Sequence, residues 1–217
     1  AFEPSGAVWL LCNDDIGRKP SLCRYASGDG GAARVFSFEA ILDPANPLVR
    51  TPDGRLWIGA ENNVLVRFDP VAEHFDYFPF AHLFRGSVEK ERVLAFAQDA
   101  NGTVWLGTER GLVKGTPKGA GFEFSLIRAD ENRPEALSHN NVASLLPDPK
   151  DPGGTLWIAT KGGGVNRMDT RTGHCRHIRI AATGPTNRHY WCIPRPVWQT
   201  RAASRLMNSR GRRARTH

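Results

Sequence analysis

The stretch D-G-R-L-W-I-G-A (residues 53–60) decides the fold, because the chain repeats nearly the same phrase. N-G-T-V-W-L-G-T occupies residues 101–108 and G-G-T-L-W-I-A-T residues 153–160, with a worn version, S-G-A-V-W-L-L-C, at residues 5–12. Each phrase is a turn rich in Asp, Asn or Gly that runs into a short apolar strand. A strand reads as continuously apolar when both its faces are covered. The tryptophans at the centre, Trp9, Trp57, Trp105 and Trp157, are spaced by 48, 48 and 52 residues. Self-similarity at such a period marks a repeat architecture.

Each phrase sits in a longer register. An apolar run precedes it (residues 47–49, 93–96 and 142–146), and a second polar turn follows it: Glu61, Asn62, Asn63; Glu109, Arg110, Gly111; Lys161, Gly162, Gly163. A third run alternates (64–69, 112–114, 165–169) and a fourth closes the unit (75–78, 122–126, 174–178). The first unit fits more loosely, with 22–25 and 34–38 as its third and fourth runs. No stretch of helical periodicity intervenes. Four short antiparallel strands per unit predict an all-β chain of β-propeller blades. The blades expected are 1–42, 43–88, 89–136 and 137–180, about three to four in all, an incomplete propeller. Solenoids need shorter periods or helices, and an immunoglobulin-like sandwich leaves the repeated phrase unexplained. The central tryptophans are expected to wedge between neighbouring blades, with Gly59 and Gly107 permitting close backbone approach and Ala159 a mild relaxation of it.

A chain of 217 residues, 40% hydrophobic and 24% charged, can bury a sizeable core. Its longest apolar run, residues 7–12, is far short of a bilayer span, and no leader peptide is visible, as expected of a processed chain or a piece of a longer one. The net charge of +7 misleads, because it is unevenly spread. Residues 1–169 carry 18 Lys and Arg against all 22 acids, whereas residues 170–217 carry 11 Arg and no acid. The chain therefore reads as a mildly acidic body with a basic tail at 181–217, disordered or translated out of frame. The competing reading of the tail is a basic arm for nucleic acid or anionic lipid, but no nucleic-acid-binding fold accompanies it. The cysteines, Cys12, Cys23, Cys175 and Cys192, form no C-x-x-C. Buried free thiols are the plainer reading, and a Cys12–Cys23 disulfide requires export.

The phrase [D/N]-G-x-[L/V]-W-[I/L]-G-T followed by G-G-[L/V]-x-R-x-D resembles the two-component regulator propeller repeat. G-G-V-N-R-M-D at 163–169 matches the second half, and L-S-H-N-N-V at 137–142 is similar to the family's L-S-x-N-x-V lead-in. Lys114, Gly115 and Thr116 depart from R-x-D in the third unit. The resemblance covers residues 1–180. It implies an extracytoplasmic ligand-binding propeller joined through a membrane span to a histidine kinase or diguanylate cyclase, none of whose motifs is in this sequence. The remaining blades and the signalling domains are then the implied partners.

In such a blade the first strand is innermost, so the turns between strands two and three open on the same face as the inter-blade connections. Glu61, Asn62, Asn63, Glu109, Arg110, His139, Asn140, Asn141 and Lys161 are the candidate ligand residues there, suited to a saccharide or other small polar ligand. Ordinary turn chemistry explains any one of them alone. No cofactor and no metal is expected: His174 and His177 are an odd number apart and point to opposite faces of a strand. The Arg67/Asp69 and Arg167/Asp169 pairs read as structural Arg–Asp pairing, and residues 148–154, with their prolines, as a longer hairpin connection. No catalytic motif is present. The rival readings are an enzyme of the streptogramin-lyase-like type and a protein-interaction propeller.

Overall fold

The computed structural model describes residues 1–13, 20–26, 33–40, 42, 46–61, 63–84 and 91–178. Fifteen strands form four antiparallel meanders. The first sheet holds β1 (Val8–Asn13), β2 (Pro20–Tyr25) and β3 (Ala33–Ser37). The second holds β4 (Leu48–Arg50), β5 (Leu56–Ala60), β6 (Val64–Asp69) and β7 (His74–Pro79). The third holds β8 (Val93–Gln98), β9 (Val104–Thr108), β10 (Gly111–Lys118) and β11 (Gly121–Ile127). The fourth holds β12 (Val142–Asp148), β13 (Asp151–Thr160), β14 (Gly164–Asp169) and β15 (Cys175–Ile178). A single 3-10 turn, Ala81–Phe84, lies in the connection after β7. These are propeller blades, with consecutive strands paired edge to edge; the first strands of the third and fourth blades, β8 and β12, pack together, and β8 also packs on β5 of the second.

The first blade differs from the other three. Among the described residues its first strand, β1, is the counterpart of the second strand elsewhere, and residues 1–3 lie along the inner edge through the Phe2–Val8 bridge and mutual Ala1–Trp9 backbone bonds at 2.7 Å. The fourth blade absorbs its longer repeat differently from the expected loop. β12 and β13 extend across residues 147–156 and meet in a two-residue turn, with a register shift at Pro147/Asp148. The extra residues thus lengthen a hairpin instead of opening a loop.

The core is a series of seams between blades. Trp9 and Leu22 of the first blade pack with Leu56, Ile58, Val66 and Phe68 of the second. Trp57 and Leu65 pack with Phe96, Val104, Leu106 and Val113 of the third, and Trp105 and Leu112 with Val142, Leu156, Ile158 and Met168 of the fourth. Trp57 stacks on Phe96 at 5.3 Å between centroids and meets Phe122 edge-on at 5.8 Å. A buried tryptophan covers about 150–250 Å² of apolar surface, so these rings dominate each seam. A Cβ on Gly107 would lie 2.7 Å from the Val142 carbonyl oxygen, and one on Gly59 would lie 2.5 Å from the Val93 side chain. Both glycines make room for the incoming inner strand of the next blade.

One expectation is corrected. Cys12 and Cys23 are joined by a disulfide between β1 and β2, with Cα atoms 6.3 Å apart, whereas Cys175 is a buried free thiol. Burial pushes the Cys175 thiol up to about 11, which keeps it protonated and inert. The expected Arg–Asp pairing within a blade is present, although the Arg and Asp of one motif take other partners: Asp69 meets Arg55 Nε at 3.4 Å. Arg67 bonds Asp76 on the adjacent strand at 2.8 Å, while Asp69 accepts from the Val71 and Ala72 amides and caps the β6–β7 turn. Asp169 does the same for Arg171 and Thr172, and Arg167 donates to Thr155 Oγ1 at 3.2 Å. The basic tail, Cys192 and residues 179–180 of the fourth unit lie outside the described residues.

Candidate functional site

The end of the blades that carries the β5–β6, β9–β10 and β13–β14 turns also carries the inter-blade connections, as a meander with an inner first strand requires. At the fourth blade these meet in a groove of about 700 Å³. Asp130, Glu131, Arg133 and Pro134 form one wall, Gly162, Gly163 and Gly164 the other, with Ser138 and His177 between them and Leu137 at the base. The connection is tightly wound: the Arg133 amide bonds the Asp130 carbonyl, and the Ala136 amide bonds the Arg133 carbonyl. It is fastened along the outer strand, where Cys175 N donates to Glu135 O at 2.7 Å and His177 Nε2 lies 2.7 Å from the Ala136 carbonyl. A carbonyl oxygen only accepts, so the His177 proton sits on Nε2.

The L-S-H-N-N-V lead-in fastens this corner. Ser138 N donates to Asn166 Oδ1 at 3.0 Å, and Asn166 Nδ2 donates back to Ser138 Oγ at 2.8 Å. Asn166 is fully buried, so this reciprocal pair satisfies an amide that water cannot reach. Asn140 Oδ1 accepts from the Ala129 amide at 2.8 Å, closing the loop back on its start. His139 Nδ1 accepts from the Asn141 amide at 3.0 Å, and the Lys161 amide donates to the Asn141 carbonyl at 2.8 Å. His139, Asn140, Asn141 and Lys161 therefore come together at one corner.

The other candidate residues belong to separate blades. Arg110 Nε bonds the buried Glu91 carboxylate at 2.7 Å, anchoring the β9–β10 turn, while Glu109 is exposed beside it. Asn63 is buried at a φ of 60°, its carbonyl accepting from the Phe80 amide and its Oδ1 buried without a hydrogen-bond partner. Glu61 is half-exposed, and Asn62 lies outside the described residues. At the opposite end, a second groove of about 520 Å³ runs between the third and fourth blades, past Asn101, Lys114, Asp151, Arg167 and Thr170. It is crossed by seam bonds: Asn101 Nδ2 to Gly153 O at 2.8 Å, and Lys114 Nζ to Thr170 O at 3.2 Å. Those groups are occupied in holding the blades together.

The structure also shows a device around each tryptophan that the sequence reading lacks. The residue six positions before the ring accepts the indole N–H: Glu3 for Trp9 at 2.6 Å, Thr51 for Trp57 at 3.3 Å, and Asp99 for Trp105 at 3.0 Å. In the fourth blade the longer hairpin places Asp148 in that role at 3.0 Å. A cation stands directly across the sheet from each ring: Arg24, Arg67, Lys114 and Arg167 pair with Trp9, Trp57, Trp105 and Trp157. In the first three blades it lies 5.3–5.8 Å from the ring centroid. Lys114 therefore keeps the charge that the R-x-D pattern supplies elsewhere.

Residues 87–110, from the inter-blade connection through the Trp105 strand, match the model of the family described as Two component regulator propeller. Residues 87–110 thus carry that family's repeat. No curated protein matches the chain. Among solved structures, the chain is similar to the extracellular domain of the one component system BT4673 from B. thetaiotaomicron. The TM-score is 0.58 at 18% identity, over 76% of this chain and 20% of that one. Virginiamycin B lyase from Staphylococcus aureus gives 0.57 at 13% identity, over 84% of this chain and 55% of that one. Checkpoint-complex blades give 0.53 at 12% identity, over 81% of this chain and 47% of that one. At these identities the likeness is one of fold. The chain spans about a fifth of the BT4673 domain it matches.

Proposed function

We propose that this chain is a segment of an extracytoplasmic, ligand-sensing propeller of a bacterial signal-transduction sensor, with a histidine kinase or diguanylate cyclase as its output. The match of residues 87–110 to the regulator-propeller family carries this reading. The Cys12–Cys23 disulfide supports it, since such bonds persist in oxidising compartments. The groove beside Ser138 and His177 is the ligand site that this reading favours. Its acids, its arginine and its glycine backbone offer donors and acceptors beside the apolar Ala129, Pro134 and Leu137, which suits a saccharide or another small hydroxylated ligand. The role is binding, without turnover.

Calorimetric titration of the purified chain with a saccharide panel tests this, with each ligand recovered and weighed by mass spectrometry afterwards. Saturable heat with unchanged ligand is the expected result, weakened about tenfold by Arg133→Ala, which removes a charged hydrogen-bonding group. The fold likeness to virginiamycin B lyase favours one second reading, a propeller lyase. Metal-dependent consumption of a ligand would establish that reading and sink the sensor. Binding confined to macromolecules would point instead to a protein-interaction propeller.

A further inference from the structure

The second, third and fourth blades each turn one cross-strand row toward the tryptophan of the preceding blade. The row is Ile58, Val66 and Tyr77 in the second blade, and Leu106, Val113 and Leu126 in the third. In the fourth it is Ile158, Asn166 and His177. The central member is completely buried in all three. Valine suits a buried seam, whereas an amide there is costly unless its hydrogen bonds are made. The fourth blade thus exchanges an apolar pair for a polar one, beside the groove that His177 lines. Departures from a fold's own packing rule concentrate at functional sites.

The polar groups at this corner differ in what they have left to offer. Asn166 is spent within the fold: Oδ1 accepts from Ser138 N, and Nδ2 donates to Ser138 Oγ at 2.8 Å and to the Ile158 carbonyl at 3.4 Å. The Thr160 hydroxyl donates to the Gly164 carbonyl at 3.0 Å, since a carbonyl only accepts. The Ser138 hydroxyl therefore donates to Thr160 Oγ1 in their 3.3 Å contact. His177 is half spent. The Ala136 carbonyl takes its Nε2 proton, which leaves Nδ1 a bare lone pair bonded to no described residue. We propose that His177 Nδ1 is the specificity-determining acceptor of the groove and reads a hydroxyl or N–H donor on the bound ligand. This assignment rests on the groove being the saccharide site proposed above. Because a carbonyl holds the proton on Nε2, the ring discriminates by direction: a ligand atom that only accepts meets a lone pair. Sites built to hydrogen-bond a hydroxyl reject analogues that lack it.

Calorimetry on the full chain tests this with D-glucose, D-galactose, D-mannose, D-xylose and L-arabinose, and with the monofluoro analogues of each sugar that binds. Fluorine replaces a hydroxyl by a group that cannot donate. At one ring position the wild type should bind the fluoro analogue about tenfold more weakly, the worth of one hydrogen bond. His177→Gln, whose amide still reaches the Ala136 carbonyl but leaves no acceptor at the place of Nδ1, should bind sugar and analogue alike. His177→Asn, whose Oδ1 stands in for Nδ1, should keep the discrimination although the tether to Ala136 is lost. A purely structural ring predicts the reverse, with harm from Asn and none from Gln. Imidazole nitrogen NMR of the wild type decides the matter if either variant misfolds: Nε2 should be protonated and Nδ1 bare, and added sugar should shift the Nδ1 signal. The opposite tautomer, equal binding of every analogue by the wild type, or undiminished discrimination in His177→Gln would overturn the assignment and leave the sensor reading standing. If none of these sugars binds the wild type, the assignment is lost together with the saccharide reading it rests on.

Discussion

Trp57 and Trp157 occupy the same place in the same repeated phrase, yet their surroundings differ. Trp57 is buried against Phe78 of its own blade and Phe96 and Phe122 of the next. Trp157 keeps its own-blade supports, the Asp148 carboxylate and the cross-strand Arg167, and is half-buried. The repeat therefore specifies a half-seam. What the ring contributes depends on whether the other half is present, which is why energy in stacked repeats divides into a unit term and an interface term.

The largest effect should separate those two terms. Trp57→Ala removes a ring from a closed seam and should cost about 3–5 kcal/mol, as large core truncations do. Trp157→Ala should cost less than half as much, because that half-buried ring meets no neighbouring blade among the described residues. Urea midpoints measure both, and equal losses would mean that the rings act within blades and not between them. Next in size is Gly107→Ala. Its Cβ would meet the Val142 backbone oxygen at 2.7 Å, and backbone cannot swing aside as a side chain can. The expected cost is about 1–3 kcal/mol from overpacking. Ala159→Gly, at the corresponding position of the fourth blade, should lose about 1 kcal/mol, the ordinary cost of backbone freedom.

Blade number, strand order and the position of the tryptophans were legible because they follow from period and polarity, which one sequence displays. The indole acceptors were not. Glu3, Thr51 and Asp99 share a spacing but no residue type, so no repeated letter announces them. The cations over the rings were equally hidden, since Arg67 and Lys114 become equivalent only once the strand register is known. Asn140 shows the same gap at the candidate site. Its motif position was visible, but its bond to the Ala129 amide, which makes it a loop fastener, depends on a chain reversal. The Asp of R-x-D was legible as a charge partner, which Asp69 is to Arg55, but not as the cap of the following turn, which depends on its short side chain and the turn geometry.

The first blade has its own dependence on pH. Arg24 holds the Glu3 carboxyl down to about 2, assisted by Ser5 and the Trp9 indole. Because the folded value is depressed below the ordinary 4.5, the contribution is fully present above that pH and fades as pH falls toward about 2. Allowing for solvent screening of a partly exposed ion pair, it amounts to about 1–2 kcal/mol. Urea melts at pH 5.5 and 3 should show a loss that Glu3→Gln largely abolishes; an unchanged difference would remove Glu3 from the account.

The smallest effect tests whether the cation matters as a charge or as a hydrocarbon stem. Lys114 Nζ lies 5.3 Å from the Trp105 centroid and donates to the Thr170 carbonyl of the next blade, whereas Arg67 lies 5.6 Å from Trp57 and bonds Asp76 within its own blade. Lys114→Met keeps the stem over the ring and deletes the charge and the donor, so it should cost about 1 kcal/mol, from a cation–π contact and one hydrogen bond. Lys114→Arg keeps both features and should fall within about 0.5 kcal/mol of the wild type. Salt discriminates the two contributions: a charge held against a ring face and a neutral carbonyl is screened less than an exposed ion pair. The Lys114→Met loss should therefore persist in molar salt. If it vanishes there, the lysine acts through distant surface charges, and its equivalence with Arg67 is one of position only.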